Sequence, residues 1–326
     1  MSTAEKLRQA YEEERYILAE LEKLKNDKQF LAQFKTPVEF TDWFKAFIDP
    51  LLSIQYQIGA WWIQNADVKN VISWLRQGVW NEWAAAAVMK RYREGGGEAV
   101  VRRGDVDVTR LADQEAEEAA LSALREEFPE GAYVVSEESG VARWGDERYL
   151  ILVDPLDGSE NFFAKVPLFA VAVAGGVYKE GTLEDVKEAV LYLPATGDVY
   201  AVDGGEVRLN GASLSPVQSP RGVALVELGA KFPREHVEIP QALGLKIRSL
   251  GCATYSAFLA ALGYVDLFID LRRRLGPWDV APALAAGLHN PAYQAWLADG
   301  YALDRRVAVI AGKKPQVQEA VKLAQT

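Results

Sequence analysis

The stretch Leu152-Val153-Asp154-Pro155-Leu156-Asp157-Gly158-Ser159-Glu160-Asn161-Phe162 decides how this chain is read. It continues an apolar run from Tyr149 to Val153, which has the pattern of a buried strand. Two carboxylates, Asp154 and Asp157, follow around a proline, and Gly158-Ser159 then offers a place for a helix to begin. On its own the stretch reads equally well as a strand, a Pro-containing turn and a capped helix, since Asp-Pro and Asp-Gly are common turn pairs. Read chemically, acid at a strand end can hold a hard cation through oxygen. The free N–H groups of a helix start can hold a phosphate. Both together suit metal-assisted phosphoryl chemistry.

Composition narrows the classes. The chain has 326 residues, enough for two substantial cores, with 49% apolar and 25% charged residues. A net charge of −10 argues against a nucleic-acid partner, which needs a basic face. It does not oppose a small phosphorylated substrate, because a bound cation inverts the local field. A single cysteine, Cys252, excludes an intramolecular disulfide, and two histidines, His236 and His289, exclude a multi-histidine metal site. A metal would therefore be held by oxygen, which favours magnesium, manganese or calcium. Met1 to Lys25 is charged throughout, unlike a signal peptide, and no uncharged run approaches the ~20 residues of a membrane span. The expectation is a cytoplasmic protein with no membrane partner.

Outward from the central stretch, the N-terminal side opens with leucines at helical spacing over residues 4 to 34. Pro37 then breaks the pattern, and an aromatic-rich helical segment follows around Trp43 and Trp61. The first helix packs on its own protein or forms a dimer contact; a homodimer using these helices is the expectation. Val68 to Arg93 reads as another helix, ended by Gly95-Gly96-Gly97, and Glu98 to Asp107 as a short strand pair. Asp113 stands ahead of an Ala- and Leu-striped helix, Gln114 to Phe128, where an N-cap belongs. Ala132 to Ser136 is a strand ending on Glu137 and Glu138.

On the C-terminal side, Val166 to Val177, Ala189 to Tyr192 and Val199 to Val202 read as strands joined by turns, with Asn210-Gly211 a further hairpin signal. Near Ser215 to Pro220 the pattern changes to alternating strand and helix, indicating an α/β region. Its strands fall at Val223 to Leu228, Lys246 to Leu250, Val265 to Leu271 and Val307 to Ala311. Its helices fall at Ala253 to Leu262, Trp278 to Leu288 and Pro315 to Leu323. The organisation expected is a helical extension over 1–70, a metal-binding α+β domain over 71–215 and a C-terminal α/β domain over 216–326, with the substrate cleft between the last two.

Three segments taken together carry a resemblance. Asp154-Pro155-Leu156-Asp157-Gly158-Ser159, with Val135-Ser136-Glu137-Glu138-Ser139 upstream and Pro277-Trp278-Asp279-Val280-Ala281 downstream, resembles the inositol monophosphatase family of magnesium-dependent, lithium-sensitive sugar phosphatases. The resemblance spans residues 74 to 326. It implies an α+β fold layered α-β-α-β-α, and hydrolysis of a sugar phosphate monoester by a metal-activated water. It also implies about two or three Mg2+ ions, with Mn2+ as the alternative.

Carried over residue by residue, Glu137, Asp154, Asp157, Asp279 and the Leu156 carbonyl would be the metal ligands, Asp154 bridging two ions. Ser159, backed by Asp113, would orient the attacking water together with Glu137. Gly158 and Ser159 would bind phosphate, and Gly251, Ala253 and Asp270 the sugar. Asp270-Leu271-Arg272 is similar to the archaeal branch acting on both inositol 1-phosphate and fructose 1,6-bisphosphate. That likeness implies that Arg272 clamps a second phosphate. Arg273 and Arg274 are read as following it in a loop, and Cys252 as a small buried hydrophobe. A 3′-phosphoadenosine 5′-phosphate phosphatase is the rival enzyme, and a non-catalytic metal- or ligand-binding interaction protein is the rival of another class.

Overall fold

The computed structural model describes Tyr92 and residues 100–103, 108–203, 206–298 and 300–325. The N-terminal helices expected up to residue 91 lie outside the described residues, whereas Tyr92, at the end of the expected 68–93 helix, is helical. From there the order is β1 (Val100–Arg103), β2 (Val108–Arg110), α1 (Leu111–Glu127), β3 (Gly131–Ser136), β4 (Gly140–Gly145), β5 (Tyr149–Asp157), α2 (Ser159–Phe163) and β6 (Ala170–Val177). Then come β7 (Glu188–Leu193), β8 (Asp198–Asp203), β9 (Glu206–Leu209), β10 (Ala212–Leu214), β11 (Val223–Val226), α3 (Glu235–Ala242) and β12 (Lys246–Arg248). The chain closes with α4 (Ala253–Ala261), β13 (Leu267–Leu275), α5 (Pro277–Gly287), β14 (Tyr293–Leu297), β15 (Val307–Lys313) and α6 (Lys314–Ala324).

The larger sheet has eight strands in the order β10-β9-β8-β7-β6-β5-β3-β4. Its neighbours are antiparallel except β3 and β5, which run parallel. The hairpins follow local chemistry: Asn210 and Gly211 both have positive φ, 49° and 81°, as a tight two-residue turn requires. The second sheet has five strands in the order β12-β11-β13-β15-β14, parallel across β12-β11-β13 and antiparallel beyond.

The apolar run in β5 is buried on both faces, and its alternation sorts side chains between two cores. Ile151 and Val153 pack with Ala116, Ala120 and Leu124 of α1. Leu150 and Leu152 face the opposite way, into a core shared with Phe258 and Ala261 of α4 and Ala281 and Ala285 of α5. That core continues to Leu225, Phe268 and Val309 of the second sheet. The far face of the second sheet is covered by Ile239 of α3 and Val317 and Ala320 of α6. The layers are therefore α1, large sheet, α4 with α5, small sheet, α3 with α6: the α-β-α-β-α sandwich. The middle helices are rich in alanine because both sides are covered by sheet, so no polar face is left to place. Each large aliphatic fully buried in these cores contributes about 1.5–3 kcal/mol.

Three local readings change. Helix α1 begins at Leu111, so Asp113 is its third residue rather than its N-cap. Leu111 and Ala112 are good helix formers and carry the helix back past it, while the carboxylate still meets the positive end of the dipole. Strand β6 starts at Ala170 rather than Val166. Pro167 has no N–H for a ladder, and Val166 instead donates to Asn161 at 2.8 Å. Arg272, Arg273 and Arg274 belong to β13 rather than to a loop. Pairing with β15 jumps from Asp270–Val309 to Leu275–Val307, so Leu271 to Arg274 stand opposite Ala308 as a bulge. Arg273 takes φ 58° within it. Among the described residues no helix is long and apolar enough to cross a membrane.

Candidate metal and phosphate site

The parallel junction of the large sheet starts the site. Ser136 of β3 pairs with Val153 of β5, so Glu137 and Asp154 come next to one another where that pairing ends. Glu137 is tied to this edge by its N–H, which donates to the Val153 carbonyl at 3.3 Å. The turn after it is pinned from α1: the buried Glu117 carboxylate accepts the N–H groups of Glu138 at 3.0 Å and Ser139 at 2.8 Å. Past Asp154, β5 bulges, its pairing with β6 shifting between Asp154–Ala172 and Asp157–Ala170. Pro155 suits the bulge because it brings no N–H to pair. Asp279 arrives in the first turn of α5, its Oδ2 accepting the Gly276 N–H at 2.6 Å.

Ligand oxygens of Asp154, Asp157 and Asp279 all lie within 4.8 Å of one another. Among the described residues, the hydrogen-bond donors that reach them are backbone N–H groups, a hydroxyl and a thiol, all neutral. Asp154 accepts from the Leu156 N–H at 3.1 Å and the Thr254 hydroxyl at 3.4 Å. Asp157 accepts the N–H groups of Ala253 at 3.2 Å and Thr254 at 2.7 Å, both at the start of α4, and the Cys252 thiol at 2.9 Å. No Lys or Arg among the described residues forms an ion pair with any of the three.

Burial first, then the charges of Glu137, Asp157 and Asp279, push the Asp154 carboxyl well above its ordinary range. Asp279 is pushed up to about 7 by burial and then by Asp157. Asp157 is raised by burial against the hydrogen bonds that favour its charge. Burial and the adjoining Asp157 carboxylate also raise the Cys252 thiol, so Cys252 serves as a neutral donor to an acid rather than as a plain apolar filler. Three crowded carboxylates, ion-paired to no Lys or Arg among the described residues and offering only hard oxygen donors, fit a divalent ion of the Mg2+ or Mn2+ kind.

Above the acids opens a cavity of about 380 Å³. Its lining includes Asp113, Glu137, Leu156, Asp157, Gly158, Ser159, Gly251, Ala253, Arg272 and Asp279, so most of the expected residues converge on one space. Asp154 lies beneath its floor, 1% exposed. Glu137 adds its charge to Asp154 yet stands outside the three-carboxylate set. A separate cavity of about 450 Å³, along Tyr149, Gly175 and Lys187, holds none of these residues.

Asp270 departs from expectation. It does not line the cavity, is fully buried, and is taken up by Arg272, whose Nε reaches both oxygens at 3.0 and 3.1 Å and whose Nη2 reaches Oδ2 at 2.5 Å. The β13 bulge brings the two side chains round to face each other. Arg272 therefore enters the cavity wall as a cation already held, rather than as a free clamp.

Sequence reading named Gly158 and Gly251 but missed the residues that hold them to the rest of the site. Gly158, at φ 81°, passes so close to Gly251 that an added Cβ would sit 3.0 Å from the Gly251 carbonyl. Asn161 bridges this crossing, its amide donating to the carbonyls of Leu168 and Leu250 at 2.7 Å each. Glu227 follows the apolar strand β11 as Asp154 follows the run in β5, a signal that could have found it; it lines the cavity with Arg274 and Arg306. His236 is structural, as expected for a residue outside the motifs. Its Nδ1 donates to the Glu227 carbonyl at 2.9 Å and its Nε2 accepts the Leu271 N–H at 2.7 Å, which fixes a neutral ring.

With this geometry established, comparison with known proteins is direct. Residues 76–286 match the model of the inositol monophosphatase family. A fructose-1,6-bisphosphatase of Pyrococcus furiosus is 31% identical over 187 residues, covering 57% of this chain and 69% of the relative. An inositol-1-monophosphatase of Aeropyrum pernix is 31% identical over 186 residues, covering 55% and 68%. Among solved structures, the extragenic suppressor protein SuhB of Bartonella henselae superposes with a TM-score of 0.64 at 22% identity, over 79% of this chain and 98% of that one, a likeness of fold.

Proposed function

The chain belongs to the inositol monophosphatase family, and from that premise we propose that it hydrolyses sugar phosphates in a Mg2+-dependent reaction, with inositol 1-phosphate and fructose 1,6-bisphosphate as substrates. As a family member it is a phosphoric monoester hydrolase. The observation that carries the finer reading is the meeting of Asp154, Asp157 and Asp279 within 4.8 Å under a cavity large enough for a sugar phosphate.

Asp154, Asp157 and Asp279, with Glu137 and the Leu156 carbonyl beside them, would hold the ions. When bound, Mg2+ supplies polarisation of the phosphate and a water of lowered pKa. The chain's own part is positioning. Ser159 and Asp113 line the same cavity, where the hydroxyl orients the attacking water and the carboxylate supports the hydroxyl. The N–H groups of Gly158 and Ser159 direct phosphate oxygens, and Gly251 and Ala253 shape the sugar side. Arg272, Arg274 and Arg306 also line the cavity, where a second phosphate of a bisphosphate would find positive charge.

The test is phosphate release by the purified full chain, with Mg2+ and with chelator, from inositol 1-phosphate, fructose 1,6-bisphosphate and 3′-phosphoadenosine 5′-phosphate. Mg2+-dependent release from the first two supports the proposal. Preference for the nucleotide moves the assignment to the rival enzyme. No release from any of the three returns the chain to a binding role.

A further inference from the structure

The Arg272–Asp270 pairing leaves the sugar end of the cavity without the acid expected to read hydroxyl groups. Glu227 is another acid on this cavity. It follows β11 directly, is 4% exposed, and lines the cavity. One carboxylate oxygen accepts the Ser256 hydroxyl at 3.0 Å, while the other makes no hydrogen bond among the described residues.

Its position is not adjustable. The Glu227 N–H donates to the Ile269 carbonyl of β13 at 3.3 Å, and its own carbonyl accepts from His236. The same His236 ring accepts the Leu271 N–H, so Glu227, just past the end of β11, is tied to β13 at the residue before Arg272. Burial first, and then the Asp157 charge, raises the Glu227 carboxyl to about 8, against the Ser256 hydrogen bond and the Arg272 charge that favour its ionised form.

We infer that Glu227, in place of Asp270, is the specificity-determining residue that accepts hydrogen bonds from hydroxyl groups on the organic part of a polyol phosphate. The inference rests on the phosphatase reading above and deepens it. A buried carboxylate with one oxygen engaged and one directed to a cavity is costly unless a ligand donates to it. A polyol next to the reacting phosphate supplies such donors; a phosphate ester of an aryl group does not. Discrimination of this kind comes from the polar group that a hydroxyl-free substrate leaves unpaired.

The experiment compares inositol 1-phosphate with 4-nitrophenyl phosphate for the wild type, Glu227→Leu and Glu227→Gln, measuring kcat and KM for each at saturating Mg2+. In Glu227→Leu, kcat/KM for the polyol phosphate is expected to fall about tenfold to a hundredfold, mostly in KM, while the aryl ester changes less than about threefold. Glu227→Gln keeps the shape and the acceptor for Ser256 and recovers part of the loss; it also decides the matter if the leucine variant does not fold. Equal losses on both esters, or a loss on neither, overturn the inference while leaving the phosphatase assignment standing. A wild type inert towards both esters overturns the assignment and the inference with it.

Discussion

Asp154 and Asp266 are each 1% exposed, yet they end in opposite electrical states. Asp266 receives the Lys313 ammonium at 2.6 Å and the N–H groups of Arg221 and Gly222, and these hold its carboxyl below the ordinary range although burial pulls the other way. Asp154 receives one backbone N–H and one hydroxyl, feels the charges of three further carboxylates, and is driven upward by burial and by them. Both are shut off from solvent; what separates them is chiefly whether the fold supplies the counter-charge. At Asp266 the acid closes a joint between β13, β15 and the segment before β11. At Asp154 the fold concentrates negative charge and leaves the cation to come from solution.

The widest gap should open when each acid is neutralised in turn. Asp266→Asn strands the buried Lys313 and should cost about 3–5 kcal/mol of stability, read as a drop in the urea midpoint. Asp154→Asn relieves repulsion, so the metal-free protein should be no less stable, while phosphate release falls by on the order of a hundredfold to a thousandfold. If Asp154→Asn instead unfolded the protein and retained its turnover per folded molecule, the contrast would be lost.

Metal linkage sharpens the same contrast. Mg2+ at about a hundred times its dissociation constant should stabilise the wild type by about 2.7 kcal/mol, chelator should reverse this, and Asp154→Asn should show little of it. Asp266→Asn should keep the whole Mg2+ increment on its lower baseline, as thermal melts with and without the ion would show.

The pH response should carry opposite signs at the two places. Asp279 ionises at about 7 in the folded chain against an ordinary 3.8. Across that window the folded state holds a proton the unfolded state has lost, so metal-free stability should fall as pH rises, and Mg2+ or Asp279→Asn should flatten the slope. Asp266 works the other way, its contribution present above the ordinary carboxylate value and lost as pH falls through its lowered one. Denaturation midpoints from about pH 2 to pH 8, with and without Mg2+, would expose a wrong sign at either site, Asp266 below the ordinary carboxylate value and Asp279 above it.

The smallest effect belongs to the support beneath the site. Glu117→Gln keeps one acceptor for the Glu138–Ser139 turn but loses the charge, and should cost about 1 kcal/mol in stability. It should also weaken the Mg2+ response through the turn carrying Glu137. An unchanged Mg2+ titration would separate Glu117 from the site.

Much of this was legible along the chain, for a physical reason in each case. The run ending at Asp154 is apolar because a strand covered on both faces must be, and Asn210-Gly211 turns because positive φ is cheap there. The partners of the acids were not legible. Cys252 meets Asp157 across 95 positions, and Asn161 meets Leu250 across 89. Asp270 and Arg272 stand two apart in the sequence, a spacing that in a regular strand puts both on one face without joining them; the bulge in β13 is what lets the guanidinium fold back onto the carboxylate.

By itself the amino-acid order determined the succession of strands and helices, the turns and the acid-bearing end of the central strand, because periodicity, backbone freedom and side-chain chemistry are properties of short segments; the layered class and the ligand set came from the resemblance of three motifs to a known family. The tertiary structure alone decided which acids keep their charge for a ligand and which spend it on a neighbour. That choice depends on distances of a few ångströms between segments that only the packed sheets bring together.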